Sequence, residues 1–415
     1  MIMPKNHIKA LPLRWLLAGF LIGAATANAQ SDVFAPPGPN PVPTQQQFGV
    51  RMVPDPSLLF ATPPDSPYQW GDFVLKPHFL YRFLYGDGIQ AAPGRQLTTA
   101  VDSFAPGFLL DMGSQWTLDY TPTWDLYSNH TFHNTLGEAV SLAGEVSISD
   151  TLLKLTQGYV YSSQPLVETG LQTSVQDFAT GLDLSHHLSS EFYSETTFSQ
   201  NLRYAVGFPS SKDWSALDWL HYQPIPQLDT AIGAGLGFID MSEGSDIYYF
   251  DPEAQATWAP TRKISFNVSA GLDRREFLVR PRSILDTPIY NVAVQYNPFE
   301  WTGLGFSTGR QVAESFFANQ STKDTNWKAN LSQRLLEHYL LTASVGQNNA
   351  DYLLNTTAGS AGRNDRILSY TLRLTWSFFQ RGTLAIMYQW DRNQSTASGF
   401  GFSSHQVGLE LGYRY

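Results

Sequence analysis

From Trp70 to the C-terminus, apolar and aromatic side chains recur at every second position. In Phe73, Leu75, Pro77, Phe79, Tyr81, Phe83 and Tyr85 the odd positions are oily, with Lys76, His78 and Arg82 standing between them. The alternation returns in Trp116, Leu118, Tyr120, Pro122 and Trp124 against Asp119, Thr121 and Asp125. It returns again in Ile264, Phe266, Val268, Ala270 and Leu272, and in Leu368, Tyr370, Leu372, Leu374 and Trp376. Successive side chains of a strand leave opposite faces, so each segment has one oily and one wet face. No comparable helical period appears.

The connections between these segments alternate in length. Short turns fall at 113–115, 149–151, 185–189, 223–227, 259–263, 297–300, 334–338 and 377–381. Longer polar stretches fall near 86–103, 128–138, 162–174, 205–213, 240–246, 275–286, 310–323, 348–365 and 392–404. Those 17 connections join 18 strands. In a soluble sandwich, loops at the two ends have no reason to alternate in this way. In a transmembrane barrel the oily face meets lipid, with short turns on the periplasmic side and longer loops outside. Trp116, Trp258, Trp301 and Trp376, with Tyr296 and Tyr339, stand beside short turns on the outward parity, as an interfacial aromatic girdle requires. Prolines at apolar positions remove ladder donors, and Pro122 is the one that fits least well.

Composition agrees. Charged residues make up 15% of the chain, where about 25% is usual for soluble domains. Beyond the first 30 residues no apolar run approaches the ~20 needed for a membrane helix. Residues 1–29 carry Lys5, Lys9 and Arg14, then an apolar stretch from Trp15 to Ala25, then Ala27-Asn28-Ala29, the three parts of a secretory signal with cleavage expected after Ala29. The processed chain then has 36 acids and 23 bases, a balance that disfavours nucleic acid. It has no cysteine, hence no disulfide and no N-terminal lipid attachment through cysteine. Ten prolines between Pro36 and Pro67 mark 30–68 as an extended periplasmic or lumenal linker.

With the oily parity outward, the inward positions become the wall of an aqueous lumen. Candidate pore-lining residues are Lys76, Arg82, Asp119, Asp125, Glu145, Asp183, Glu195, Asp251, Glu253, Asp273, Lys328, Arg373, Asp391, Glu410 and Arg414. Across all predicted inward positions acids outnumber bases by 15 to six, which predicts a preference for cations. Lys76, Arg82, Lys328, Arg373 and Arg414 fall on strands one, fourteen, sixteen and eighteen, closure places the first strand beside the last, and strands two to eleven carry most of the acids. That distribution predicts a transverse field, basic at the closure seam and acidic opposite.

A catalytic or metal site would need groupings that this sequence lacks. A serine nucleophile needs a histidine within reach and a third orienting group. His186 and His187 fall in a turn, and His130 and His133 lie in an outer loop without a clustered carboxylate. No GxSxG, P-loop or dinucleotide fingerprint stands in a strand-to-helix context. No catalytic, cofactor or metal site is expected.

The final hairpin runs from Leu384-Ala-Ile-Met-Tyr-Gln-Trp to Gly399-Phe-Gly-Phe and His405-Gln-Val-Gly-Leu-Glu-Leu-Gly-Tyr-Arg-Tyr415. It resembles the end of the outer-membrane β-barrel porins called the beta-barrel porin 2 group. That resemblance covers about 30 residues closely and implies a porin-like protein of a bacterial outer membrane, or a barrel partner of exopolysaccharide export components. Its alternating last strand, closed by an aromatic residue, is similar to the signal read by barrel-insertion machinery. The sequence therefore predicts an all-β chain, an antiparallel up-and-down barrel over 69–415. It has about 18 strands, or 16 if residues 205–239 do not form a pair. Its expected role is passive passage of ions or small polar solutes across outer-membrane lipid.

Overall fold

A computed structural model of the chain describes residues 68–278, 282–336, 338–354, 361–378 and 381–414. The expected signal sequence, the expected linker as far as Pro67 and the terminal Tyr415 lie outside the described residues.

A two-residue strand β1 (Gln69–Trp70) leads into β2 (Phe73–Ala92), β3 (Arg95–Met112), β4 (Trp116–Tyr127), β5 (Thr135–Ile148), β6 (Thr151–Pro165) and β7 (Gln172–His187). There follow β8 (Phe192–Ala205), β9 (Ser211–Ile225), β10 (Leu228–Met241), β11 (Ile247–Thr261), β12 (Ile264–Phe277) and β13 (Ser283–Phe299). The last are β14 (Thr302–Glu314), β15 (Gln320–Leu335), β16 (Tyr339–Leu354), β17 (Ala361–Phe378), β18 (Gly382–Ser395) and β19 (Phe402–Arg414). Each pairs antiparallel with its sequence neighbours, and β19 pairs with β2 from His405↔Asp87 to Arg414↔His78. β2–β19 thus close an 18-stranded barrel. Closure leaves no free edge, which is what lets strands cross hydrocarbon with every ladder satisfied.

The outward parity is the predicted one. Phe104, Trp124, Phe250, Val268, Leu372, Leu374, Ile386 and Leu409 are all exposed on the outer face. Around the short-turn rim, Trp258 stacks on Phe266 at 5.5 Å, Phe299 on Trp301 at 5.5 Å and Tyr339 on Trp376 at 6.3 Å. An apolar belt bounded by aromatics, with short turns on one rim, is the outer surface of a bacterial outer-membrane barrel.

Residues 205–239 do form a pair, β9 and β10, with Ser211 to Tyr222 opposite Met241 to Thr230. Their signal is weak because the inward positions of β10 include Gly233, Gly235 and Gly237. Large neighbours fill that space: a Cβ on Gly233 would lie 2.5 Å from the Trp219 indole, and one on Gly237 2.0 Å from the Tyr249 ring. Pro122 also finds its place. The β3–β4 ladder pairs Phe104↔Trp124 and resumes at Phe108↔Tyr120, so Pro106 and Pro122 share one gap.

The outer loops are shorter than expected. Residues 86–103, read as a loop, are mostly β2 and β3 joined at Pro93-Gly94, where Gly94 takes φ +77°. The stretches 275–286, 310–323 and 348–365 likewise contain strand. Beyond the lipid belt both faces of a strand are wetted, so the period-two signal fades while the hydrogen-bonded ladder continues.

Candidate functional site

The connection between β6 and β7, residues 166–171, does not lie over the rim. It folds into the barrel and reaches the opposite wall. Residues 166–170 are buried throughout. Leu166 packs with Val175 and Phe316, and Val167 packs with Ile367 of β17 and Phe402 of β19. A Cβ on Gly170, at φ +67°, would stand 3.2 Å from Pro93 and 3.3 Å from Gln90. Apart from Val175 on β7, these contacts lie four to seven strands around the barrel from β6 or β7, so the segment is a chord across the lumen.

Two anchors hold it. Arg363 of β17 donates to the Glu168 carbonyl at 2.8 Å and to the Val167 carbonyl at 3.4 Å, and its guanidinium pairs with Asp365. Phe400 and Tyr352 flank that guanidinium, with ring centroids at 3.7 and 4.6 Å. On the other side, the Glu168 carboxylate accepts from the Ser315 hydroxyl at 2.5 Å and the Phe316 N–H at 2.7 Å. Burying a carboxylate is costly unless donors surround it, and here the donors come from the β14–β15 connection.

That second connection also leans inward. Phe316 and Phe317 meet Phe208 edge-on at 6.0 and 5.8 Å, and the Arg203 guanidinium of β8 lies 4.5 Å from the Phe316 ring. Arg275 of β12 clasps Asp273 at 3.0 Å, Glu314 at 2.8 Å and the Val312 carbonyl at 2.8 Å. The outer half of the lumen is therefore spanned by two segments, tied to the wall by Arg203, Arg275 and Arg363.

The candidate lining residues stand on the strand parity opposite to the exposed apolar side chains. At the closure seam Arg82 of β2 and Arg373 of β17 converge on one carboxylate: Arg82 Nε stands 3.0 Å from Glu410 Oε1, and Arg373 Nη2 2.7 Å from Oε2. Beside them Lys76 pairs with Asp111 at 2.6 Å, and Arg414 faces His78 in register. The seam gathers the bases that the sequence placed there, but around Glu410 and Asp111. Asp119 lies 3.5 Å from His78, and Asp125 accepts from Ser103 at 2.5 Å. Glu145, Lys154 and Asp183 follow one another across β5, β6 and β7 in register. Glu195 stands 3.7 Å from His221, which bonds Asp229 at 3.1 Å and stacks on Tyr193 at 4.1 Å. Asp251 and Glu253 face the lumen of β11 across from Gly235 and Gly233, near Asp273. Asp391 accepts from Gln389 at 2.6 Å, and Lys328 is exposed to the lumen opposite Ser307 and Gly346.

Sequence reasoning missed the inward chord and the three arginines that fasten the outer lumen. Arg275 and Arg363 fell in stretches read as loops, which have no parity. A signal for the chord was present: Leu166-Val167 and Leu171 are too oily for a solvated outer loop. Among the described residues no group of three or more His, Asp or Glu is placed to hold a metal ion. His186 sits at the end of β7, bonded to Thr151 at 2.9 Å.

No family model matches the chain, and no curated protein matches it. Solved structures similar to it include OpdK of Pseudomonas aeruginosa with vanillate, at 10% identity and TM-score 0.47, covering 82% of this chain and 99% of that one. OccK2 (OpdF) of the same organism, in complex with glucuronate, is similar at 11% identity and TM-score 0.46, covering 82% and 98%. OprD, also from Pseudomonas aeruginosa, is similar at 12% identity and TM-score 0.42, covering 82% and 95%.

Proposed function

We propose that the chain is a passive outer-membrane channel for ions or small polar solutes, selecting them at the level of the inward chord. The observation that carries this reading is the pairing of an apolar outer belt with a polar, charged inner wall narrowed by residues 166–171. An outward charge in hydrocarbon costs several kcal/mol, whereas a charge on a wetted wall costs little. So many inward charges are affordable only around water.

The same wall supports a preference for cations. Arg82 and Arg373 share Glu410, and Arg275 and Arg363 each clasp a carboxylate. Much of the positive charge is thereby neutralised by direct partners, while Asp251 and Glu253 of β11 have no ion-pair partner within salt-bridge distance among the described residues. Focusing by a low-dielectric wall raises the local concentration of the opposite charge. Reversal potentials across planar bilayers under a salt gradient test the reading. Discrete conductance steps with cation preference are expected. Anion preference would reject the selectivity, and the absence of any step from folded protein would reject the channel.

A further inference from the structure

The outer surface of β14–β18 changes character in one step. Nearer the periplasm, Tyr370, Leu372 and Leu374 of β17 face outward and are exposed. Further out on the same face stand Arg310 of β14, Arg366 of β17 and Arg392 of β18. Counted from the periplasmic end of its own strand, Arg310 is eight residues up, Arg392 ten and Arg366 twelve. At ~3.3 Å per residue and a tilt near ~40°, those positions are about 20–30 Å up, the upper boundary of a belt about 25 Å tall.

These guanidinium groups meet neutral partners. Arg310 donates to the Thr325 hydroxyl at 3.0 Å and lies 5.6 Å from the Tyr290 ring. Arg366 donates to the Gln347 carbonyl oxygen at 2.9 Å, and Arg392 is exposed. The outward carboxylate one register row further out, Asp351, is already paired with Lys323 at 2.8 Å and accepts from Asn364. On other outward sectors the bases carry acids: Lys212 has Asp240 at 2.8 Å, and Arg274 has Asp286 at 3.8 Å.

Arg366 stands opposite Gln394 and Leu368 stands opposite Arg392. The two arginines are therefore diagonal neighbours on adjacent strands, about 7–8 Å apart at the backbone. One phosphate between two such forks accepts several charge-assisted hydrogen bonds, the geometry arginine suits best. We propose that this face binds the phosphorylated headgroup of an outer-leaflet lipid. Arg366 and Arg392 grip one phosphate, Arg310 extends the basic surface, and acyl chains lie along Tyr370, Leu372 and Leu374. The site faces away from the lumen and does not depend on what passes through it.

Native mass spectrometry of the folded full chain in detergent tests this, with lipid A and its dephosphorylated form supplied at equal concentration. The wild type is expected to retain lipid A at least about tenfold better than the dephosphorylated form. R366Q/R392Q is expected to lose that preference while keeping single-channel conductance, and R274Q is expected to keep both. Equal retention of the two lipids by the wild type overturns the proposal without requiring any variant to fold. So does a variant that keeps the preference, and so does loss of the lipid A adduct to inorganic phosphate alone, which would mark a free-phosphate site. A changed oligomeric mass in the variant with unchanged lipid retention would assign the face to a second copy instead.

Discussion

At Arg363 one guanidinium serves a carboxylate, two carbonyls and two aromatic faces, so its loss is felt on both sides of the lumen. Asp365 is fully buried beside it. Removing one member of a buried ion pair costs about 3–5 kcal/mol, because the other charge is left without compensation. Arg363→Gln is therefore expected to lower the thermal unfolding midpoint of the folded barrel. It should also raise single-channel conductance as residues 166–171 lose their wall anchor. Stability lost with conductance unchanged would show that Arg363 supports the wall and not the chord. The second anchor gives a matching expectation. In Glu168→Ala, the Phe316 N–H loses its acceptor, at about 1–3 kcal/mol for a group left buried and unpaired, and the Ser315 hydroxyl is left with Gln320 Oε1 at 3.1 Å. Noisier current with more frequent transitions between levels is expected, read from the same bilayer recordings.

At the scale of elements, the strands were legible because lipid and water impose opposite demands on successive residues. β12 shows this most simply. Val268 faces outward and is 41% exposed, and its neighbour Ser269 faces the lumen. Val268→Arg is expected to cost about 2–4 kcal/mol in folding into bilayers, since it places a charge near the belt midplane. Ser269→Arg should fold nearly as the wild type, and equal penalties would contradict the assigned parity. The inward chord is a different kind of element. Its burial comes from residues far away in sequence, including Ser315, Arg363, Ile367 and Phe402. Replacing residues 166–171 by a tight turn is expected to leave the barrel folded and raise its conductance several-fold, checked by gel heat-modifiability together with bilayer recording. The pair β9–β10 lies between these cases. Its glycines gave little alternation, and only the register reveals Trp219 and Tyr249 covering them.

For the whole molecule, the consequential quantity is the sum of charge around the lumen. Asp251→Asn together with Glu253→Gln removes two inward carboxylates without disturbing the Arg275 clasp on Asp273. The reversal potential should move toward anions, more so at low ionic strength where screening is weak. No movement would place the selecting charges elsewhere. Strand count, closure and the outward face of the lipid-belt segments were readable in advance. They follow from a period of two and from the rule that hydrocarbon accepts oily residues and water accepts the rest. The clustering of Arg82 and Arg373 about Glu410, the chord fastened by Arg363, and the β14–β15 connection fastened by Arg203 and Arg275, required the folded barrel. Those contacts join strands that closure makes neighbours or that stand across the lumen, and no local pattern encodes which distant residue an inward side chain will meet.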